Sequence, residues 1–380
     1  MTSSVRGVAW LLGFFYLSYF ALVGVYVIFL PKMLTLSGYS AAQVGAIFSA
    51  APLMRFALPF LFRHFGGVHR RVYLGALITG FGAALLFFAT LSNFPAFFLA
   101  NLLYGAAMGI ILPYVDTIAL QTIDRERYGR VRLWGSLGFM GIALWLGRVL
   151  ETPGQSLFYL ALLAAATLMG GWLLARFDRP DHSTVTGGQG NLSLRRYWAF
   201  WLSAFLLQVS FGGFYNFFTI YETAHGISLE TTSWLWSFGV LCEIAMLYWQ
   251  GPLLRRNLLG LIEFSVATTV LRWAILWLWP DSLIAAYAAQ SLHAFNFALY
   301  YTASIAYIYD LYAQKKLAQQ FFLGITFGLG GAVGALLAGW VYEWRPSALF
   351  LFEALVALAA WGAIRLHRLR RSRLPEPTHG

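Results

Sequence analysis

Two residues of opposite charge stand in adjacent apolar segments of the chain, close enough in sequence to meet. Asp116 lies inside one hydrophobic run, and Arg132 lies at the start of the next, after a short charged turn. A carboxylate inside a hydrophobic span costs about 2.5–3.5 kcal/mol on insertion scales, so it usually faces a partner or a water-filled path. Two antiparallel helices joined by this turn would pair the two residues. The pattern therefore favours a polar cavity inside a helical membrane bundle.

Further ionisable residues lie inside apolar runs. Arg55 stands near the middle of its run, and Glu243 and Arg272 are too deep for their charges to reach the interface easily. His293 adds an imidazole, which titrates close to neutral pH and can carry a proton. Together these residue types could hold an anion and move a proton. The alternative for each is a structural pair that only holds helices together.

Aromatic residues make up 18% of the chain, and most are expected in an interfacial belt or facing lipid. A few stand near polar residues and could instead line a cavity. These candidates are Tyr19, Tyr26, Tyr215 with its neighbour Asn216, and Tyr300.

Composition indicates a membrane protein. Apolar residues reach 59% and charged residues only 11%, whereas soluble domains carry about 25% charged residues. The net charge of +11 would suggest a nucleic-acid partner in a soluble protein, but here the basic residues fall between hydrophobic runs. The single cysteine, Cys242, allows neither a disulfide framework nor a zinc cluster. We expect no nucleic-acid partner, no metal, no cofactor and no enzymatic activity.

Twelve apolar runs are long enough to span a bilayer, which takes roughly 20 residues each. They cover residues 8–30, 41–63, 72–91, 96–122, 132–150, 156–176, 197–221, 231–251, 258–279, 282–308, 318–342 and 347–366. A polar stretch separates the sixth run from the seventh. We therefore predict an N-terminal six-helix bundle over residues 1–176, a cytoplasmic linker over 177–196, and a C-terminal six-helix bundle with a basic tail over 197–380.

Lysine and arginine residues fall almost entirely on one side of the predicted spans. Only Lys32, Arg148 and Arg345 lie on the other side, and Arg55 and Arg272 lie within spans. Cytoplasmic loops carry the excess of Lys and Arg, so both termini are expected in the cytoplasm.

A weak internal repeat connects the two predicted bundles. Phe48-Ser49 precedes Arg55 with the same spacing that separates Trp236-Ser237 from Glu243. Corresponding positions of the two halves would then carry opposite charges, as internal repeats of transporters allow. The alternative is a chance match of two residues.

Three local patterns resemble the branch of the major facilitator superfamily that contains the phenylpropionate permease and the lactose permease. They are Asp116 followed by Tyr128-Gly129-Arg130-Val131-Arg132-Leu133-Trp134-Gly135-Ser136, then Val270-Leu271-Arg272-Trp273, and Leu292-His293-Ala294-Phe295. The resemblance implies an all-α integral membrane protein. It would have about twelve transmembrane helices in two pseudo-symmetric six-helix bundles, the major facilitator fold.

The resemblance also implies a function. By resemblance, the chain would be a proton-coupled symporter that imports a small organic substrate by alternating access. The substrate implied first is an aromatic carboxylate of the phenylpropionate type. The implied substrate-binding residues are Arg55, Asp116, Arg132, Arg272 and Asn296, with the aromatic candidates above; Glu243, His293 and Asp116 are implied in proton coupling. Asn296 stands where the lactose permease has a carboxylate, which departs from a lactose-type mechanism.

Several alternatives stay open. A sugar or nucleoside proton symporter comes next, then drug or metabolite efflux, then a membrane sensor that does not transport. We expect a monomer in the bacterial inner membrane whose partners are the lipid bilayer, protons and a small-molecule substrate.

Overall fold

The computed structural model describes residues 3–63, 68–178, 193–255 and 257–371. Across these ranges every regular element is a helix, and twelve segments, α1 to α12, are long enough to cross a membrane. The first six are α1 (Ser3–Gly24, Val25–Phe29 and Leu30–Leu36), α2 (Ala41–Arg63), α3 (Arg70–Thr90), α4 (Phe94–Thr122), α5 (Arg125–Val149) and α6 (Pro153–Leu174). The second six are α7 (Trp198–Val209 and Gly212–Ala224), α8 (Leu229–Trp249), α9 (Leu258–Leu278), α10 (Leu283–Ser291, Ala294–Leu299 and Tyr300–Leu311), α11 (Lys315–Leu323, Gly324–Gly330 and Gly331–Trp344) and α12 (Leu349–Arg371).

Eight of these helices are apolar and continuous enough to span a membrane by length and composition alone. The others are α5, α7, α8 and α10. Helix α5 begins with a run of arginines, α8 carries Glu243, and α7 and α10 are interrupted. Helices that line a polar interior carry such features, because a polar residue is tolerated where it faces protein or water rather than lipid.

Small polar residues start several helices. Asn93 accepts a hydrogen bond from the Ala96 amide at 3.0 Å, and Pro95 follows in the first turn of α4. Thr152 and Gln155 form a reciprocal capping box at the start of α6. Such caps satisfy amides that have no partner within the helix, so short polar loops suffice to reverse the chain.

Four spans depart from regular α-helix. The segments Val25–Phe29 of α1, Ala294–Leu299 of α10 and Gly324–Gly330 of α11 are π-helical, and α7 breaks after Val209. At the break, a Cβ atom on Gly212 would lie 2.2 Å from the backbone of Gly334 in α11. Glycine is therefore required where α7 and α11 touch.

The helices form two six-helix bundles, α1–α6 and α7–α12, whose mutual contacts concentrate at one end. We call the side where α1 begins and α12 ends the terminal side, and the opposite side the far side. At the far side Arg148 pairs with Glu230 at 2.6 Å, and the Ala42 amide donates to Glu343 at 2.7 Å. Nearby, a Cβ on Gly45 would lie 2.5 Å from the Ala335 carbonyl oxygen. Helices α2 and α11 therefore close the far side.

The prediction of an all-α membrane fold with twelve helices is confirmed. Helix α5 begins at Arg125, seven residues before the apolar run predicted over 132–150, because the arginines of the preceding turn belong to the helix. Most of the predicted linker, residues 179–192, lies outside the described residues, so its boundaries stay a prediction.

Candidate functional site

Arg272 in α9 is fully buried and held by neutral acceptors of α10. One guanidinium nitrogen lies 2.9 Å from Nδ1 of His293 and 3.1 Å from Oδ1 of Asn296, and the other donates to Oε1 of Gln290. The guanidinium carbon lies 4.2 Å from the centre of the Phe214 ring. Because a buried cation needs hydrogen bonds and a polarisable neighbour, this arrangement makes the burial of Arg272 tolerable.

The contact with Arg272 determines the protonation of His293. A guanidinium can only donate hydrogen bonds, so Nδ1 of His293 accepts and the proton of the neutral ring sits on Nε2. That Nε2 lies 3.7 Å from Oε2 of Glu243 in α8, whose side chain is 24% exposed. The ring stacks on Phe297 at 5.2 Å between centroids. Arg272, His293 and Glu243 thus form a chain from the protein interior to a solvent-accessible carboxylate.

Asp116 and Arg132 come together as their spacing predicts. Nε of Arg132 lies 3.8 Å from Oδ1 of Asp116, and both side chains are about 30% exposed (31% and 29%). Tyr16 of α1 donates to the same Asp116 oxygen at 2.7 Å. The guanidinium of Arg132 also covers the Phe20 ring at 4.2 Å. The pair is a half-solvated polar contact among α1, α4 and α5 rather than a sealed structural bridge.

Arg55 is exposed although it lies in the middle of α2. Its neighbour Ala51 packs on Gly105 of α4, and Phe56 packs on Gly328 of α11. On α2, Arg55 lies between the face that contacts α4 and the face that contacts α11, and it therefore points toward the space between the bundles. No described carboxylate pairs with it within 4.0 Å. Arg55 is therefore a solvent-accessible cation at mid-depth.

Tyr19 and Tyr26 of α1 and Tyr215 of α7 all lie within electrostatic reach of Arg55. Glu243 of the second bundle likewise lies within electrostatic reach of Arg132 in the first. These residues surround one space between the bundles. Since the far side is closed, solvent reaches this space from the terminal side.

The aromatic candidates occupy different depths in the walls. Tyr26 stacks on Tyr104 at 4.9 Å and donates to Asn101 at 2.9 Å. Tyr19 donates to the Met108 carbonyl at 3.3 Å. Tyr215 stacks on Phe211 at 5.8 Å. These contacts orient the three rings and leave Tyr26 and Tyr215 partly exposed.

Two other candidates, Asn216 and Tyr300, are engaged in contacts within the protein. The amide nitrogen of Asn216 donates to the Gly212 carbonyl at 2.7 Å, within its own helix. Tyr300 is buried and packs near Phe322. The Asn216 amide nitrogen is therefore engaged within α7, and the Tyr300 ring is part of the packed interior.

Sequence reasoning missed Glu353, a fully buried acid of α12. Its carboxylate accepts a hydrogen bond from the Gly213 amide at the start of the second part of α7, and it lies within electrostatic reach of Arg272. The positive end of a helix stabilises such a carboxylate. The signal was available, since an acid in an apolar run is conspicuous, but Glu353 stands near a span end and resembles an interfacial residue.

Glu222 is a second buried acid, and it lies outside the predicted site. Its side chain is 1% exposed near the far end of α7, and neither carboxylate oxygen has a hydrogen-bond partner within the described part of the chain. The predicted site also lacked Tyr16 and Gln290, because uncharged residues in a helix show no sequence signal for what they face.

No group of three or more His, Cys, Asp or Glu residues among those described could hold a metal ion. The interior charges near the space between the bundles are balanced when His293 is neutral. The cations are Arg55, Arg132 and Arg272, and the acids are Asp116, Glu243 and Glu353. Binding of one anion would unbalance the set, and one proton would restore it.

The chain is similar in sequence to a known family and to known proteins. A sequence model described as the MFS_1 like family matches residues 9–354. A probable 3-phenylpropionic acid transporter of Escherichia coli (strain K12) is 29% identical over 261 residues, covering 66% of this chain and 68% of that protein. A maltose permease of Geobacillus stearothermophilus is 23% identical over 358 residues, covering 91% and 90%.

A solved structure extends the likeness to three dimensions. The crystal structure of the nucleoside transporter NupG superimposes with a TM-score of 0.79 over 95% of this chain and 99% of that one. The two sequences are 17% identical, so this likeness concerns the fold alone.

Proposed function

The chain belongs to the MFS_1 like family of membrane transporters, and we propose that it imports a small organic anion together with a proton. The family and its structural neighbours are transporters rather than enzymes. The substrate class we propose is an aromatic carboxylate of the phenylpropionate type. The observation that carries the proposal is Arg55, a solvent-accessible cation without a carboxylate partner among the described residues, in the space between the bundles.

Arg55 suits a carboxylate ligand. A guanidinium can donate two parallel hydrogen bonds to a carboxylate, which fixes its orientation. The partly exposed rings of Tyr26 and Tyr215 offer aromatic surface within reach of the Arg55 charge. An aromatic acid would thus place its carboxylate at Arg55 and its ring between tyrosines of the two bundles. Arg272 is fully buried, and its two terminal guanidinium nitrogens already bind Gln290, His293 and Asn296, so we propose no direct contact between Arg272 and the substrate.

Glu243 is the proposed proton carrier. Adding a second proton to His293 would place an N–H against the Arg272 guanidinium at 2.9 Å and put two cations in contact. Glu243 is open to solvent, and its protonation would remove a negative charge when the anion enters. Anion and proton would therefore favour each other's binding, which is the thermodynamic basis of symport.

The cycle is proposed to run by alternating access. The far side is closed and the central space is open toward the terminal side, and the exchange of these states would carry substrate across. Excess Lys and Arg on the terminal side supports a cytoplasmic location for both termini, in a bacterial inner membrane. In this orientation the structure represents an inward-open conformation.

The test is binding and counterflow of labelled phenylpropionate with purified protein in lipid vesicles. Wild-type protein should exchange the label, and Arg55→Gln should weaken binding about ten- to 150-fold, because a hydrogen bond to a charged group contributes about 1.5–3 kcal/mol. Arg55→Lys should retain part of the affinity. Arg71→Gln, which removes an exposed arginine of the terminal side, should change nothing.

Two results would contradict the proposal at different points. Wild-type protein that exchanges no aromatic acid would remove the substrate class. An Arg55→Gln variant that binds phenylpropionate as well as wild type would leave the substrate class standing and remove Arg55 from the site.

A hydroxylated substrate such as a sugar or nucleoside is the second candidate, and one observation favours it. The Asp116–Arg132 pair is half-exposed and presents both an acceptor and donors, the groups that bind hydroxyls. Competition against labelled phenylpropionate by sugars and nucleosides separates the two candidates. Inhibition by a sugar that is lost in Asp116→Asn would favour the hydroxylated substrate.

A further inference from the structure

A small basic pocket lies at the terminal side between the start of α7 and the end of α12, away from the central space. Its lining includes three arginines, Arg196, Arg370 and Arg371, together with His367 and Trp198. No acidic residue among those that the structure describes lines it. Such a concentration of positive charge in one pocket calls for an anionic occupant.

Among the described residues, the three arginines have no carboxylate partner, whereas a close neighbour has one. Arg368, on the same turn of α12, pairs with Glu263 at 2.6 Å. No described Asp or Glu lies within 4.0 Å of Arg196, Arg370 or Arg371. None of the three therefore forms an ion pair within the described part of the chain.

Aromatic rings hold these arginines in place. The guanidinium carbon of Arg370 lies 5.1 Å from the centre of the Trp198 ring, and that of Arg371 lies 5.0 Å from the Tyr307 ring. Tyr307 is itself fixed by a 2.6 Å hydrogen bond with His367. Stacked guanidinium groups lose less side-chain freedom when they bind an anion, because part of their order is already present.

The pocket borders the lipid. Trp198 is 41% exposed at the start of a membrane-length helix, where tryptophan typically lies at the level of lipid headgroups. Its stacking partner Arg370 is therefore held at headgroup level. We propose that this pocket binds the phosphate of an anionic membrane phospholipid, a site separate from that of the transported substrate.

The position of the pocket favours a lipid phosphate over free phosphate as its ligand. Arginine binds phosphate from either source through paired hydrogen bonds. A lipid phosphate, however, is delivered at the depth of Trp198 and at high local concentration, and basic pockets between helices at the cytoplasmic surface are suited to anionic headgroups. An anionic headgroup also supplies net charge that a zwitterionic one lacks.

The test is native mass spectrometry of the purified full chain in detergent, titrated with phosphatidylglycerol or phosphatidylcholine. The triple variant Arg196→Gln/Arg370→Gln/Arg371→Gln should bind phosphatidylglycerol about a hundredfold more weakly than wild type. This follows because each arginine near the membrane surface contributes roughly a fivefold gain in affinity. The matched control is Arg70→Gln/Arg71→Gln/Arg255→Gln. It removes the same charge from exposed residues elsewhere on the terminal side and should bind like wild type.

Three outcomes would overturn the proposal. They are equal losses in the two triple variants, equal affinity for phosphatidylcholine, and displacement of the bound lipid by about 10 mM inorganic phosphate, which would indicate a free-phosphate site.

A second measurement does not depend on folding of the triple variant. Brominated phosphatidylglycerol in vesicles should quench wild-type tryptophan fluorescence more than that of Trp198→Phe, because bromine atoms would lie close to Trp198. Equal quenching in the two proteins would place no lipid at the pocket.

Discussion

At the scale of single residues, the position of one hydrogen atom decides which group can take up a proton. Arg272 directs its guanidinium at Nδ1 of His293, so the neutral ring presents Nε2–H toward Glu243. A protonated His293 ring would lose its hydrogen bond with Arg272, because its Nδ1–H would face the positive guanidinium. His293 is therefore a neutral donor in this arrangement, which supports the proposal that Glu243 carries the proton.

This predicts separable steps in the Glu243→Gln variant. Glutamine mimics the protonated acid, so the variant should bind labelled substrate and exchange it across vesicles nearly as well as wild type. It should lose accumulation driven by an imposed pH gradient, because no proton is carried through the cycle. Counterflow and pH-driven uptake, measured on the same vesicles, check both steps.

The matched control is Glu151→Gln, which alters an exposed acid in the loop between α5 and α6 and should accumulate substrate normally. Uphill accumulation by Glu243→Gln at the wild-type level would assign the proton to another group, with Asp116 next.

At the scale of elements, the break in α7 positions part of the site. Glu353 of α12 accepts from the Gly213 amide, and the residues that follow are Phe214, against the Arg272 guanidinium, and Tyr215, within reach of Arg55. The carboxylate of one peripheral helix thus sets where two aromatic side chains of the central helix lie. Interrupted helices with a fixed N-terminus are a means of building such sites within a membrane.

Gly213→Ala tests this coupling. The added Cβ would lie 2.5 Å from Oε1 of Glu353 and 2.9 Å from Leu349, so the variant should lose about 1–3 kcal/mol of unfolding free energy. Affinity for the substrate should fall with it. Unfolding in mixed detergent micelles and substrate titration measure the two effects.

Gly141→Ala serves as the comparison, because nothing lies within 4 Å of its Cβ position on α5. That change should be neutral or stabilise the helix by up to about 1 kcal/mol. Equal behaviour of the two alanine variants would show that Glu353 does not constrain the break.

At the scale of the whole molecule, the balance between conformations depends on how closely the bundles approach at the far side. Gly45 of α2 meets Ala335 and Gly339 of α11, and Gly147 of α5 meets Ser233 of α8. The Arg148–Glu230 pair adds a charged contact at the same side. Small residues allow the two bundles to come this close at the far side. A larger side chain at one of these positions would therefore oppose closure of the far side.

Gly45→Val should therefore shift the population toward a conformation open at the far side. Overpacking costs about 1–3 kcal/mol, which changes the ratio of the two states about five- to 150-fold. Spin labels at Ser92→Cys and Asp281→Cys, in a Cys242→Ser background, should report a longer distance between the bundles. Gly75→Val, where nothing lies within 4 Å of the Cβ position, should leave the distance unchanged. An unchanged distance in Gly45→Val would contradict the proposed closure.

The order of residues was enough to predict the membrane class, the twelve helices, the family resemblance and the short list of interior charges. Each rests on a local and costly feature: apolar runs of spanning length, and charged groups inside them that would be expensive to bury without purpose. The weak repeat also has a structural counterpart, since Arg55 and Glu243 are each the fifteenth residue of their helices.

Which of these charges meet depends on how the helices pack against one another. Arg272 binds neutral groups of α10 rather than Glu243, Arg55 remains open to solvent, and Glu353 reaches the break in α7. The physical reason is that helices apolar on most faces show little periodicity, so their rotation is not written in the order of residues. Contacts between distant helices, and the side on which the bundles separate, follow from packing of the whole chain.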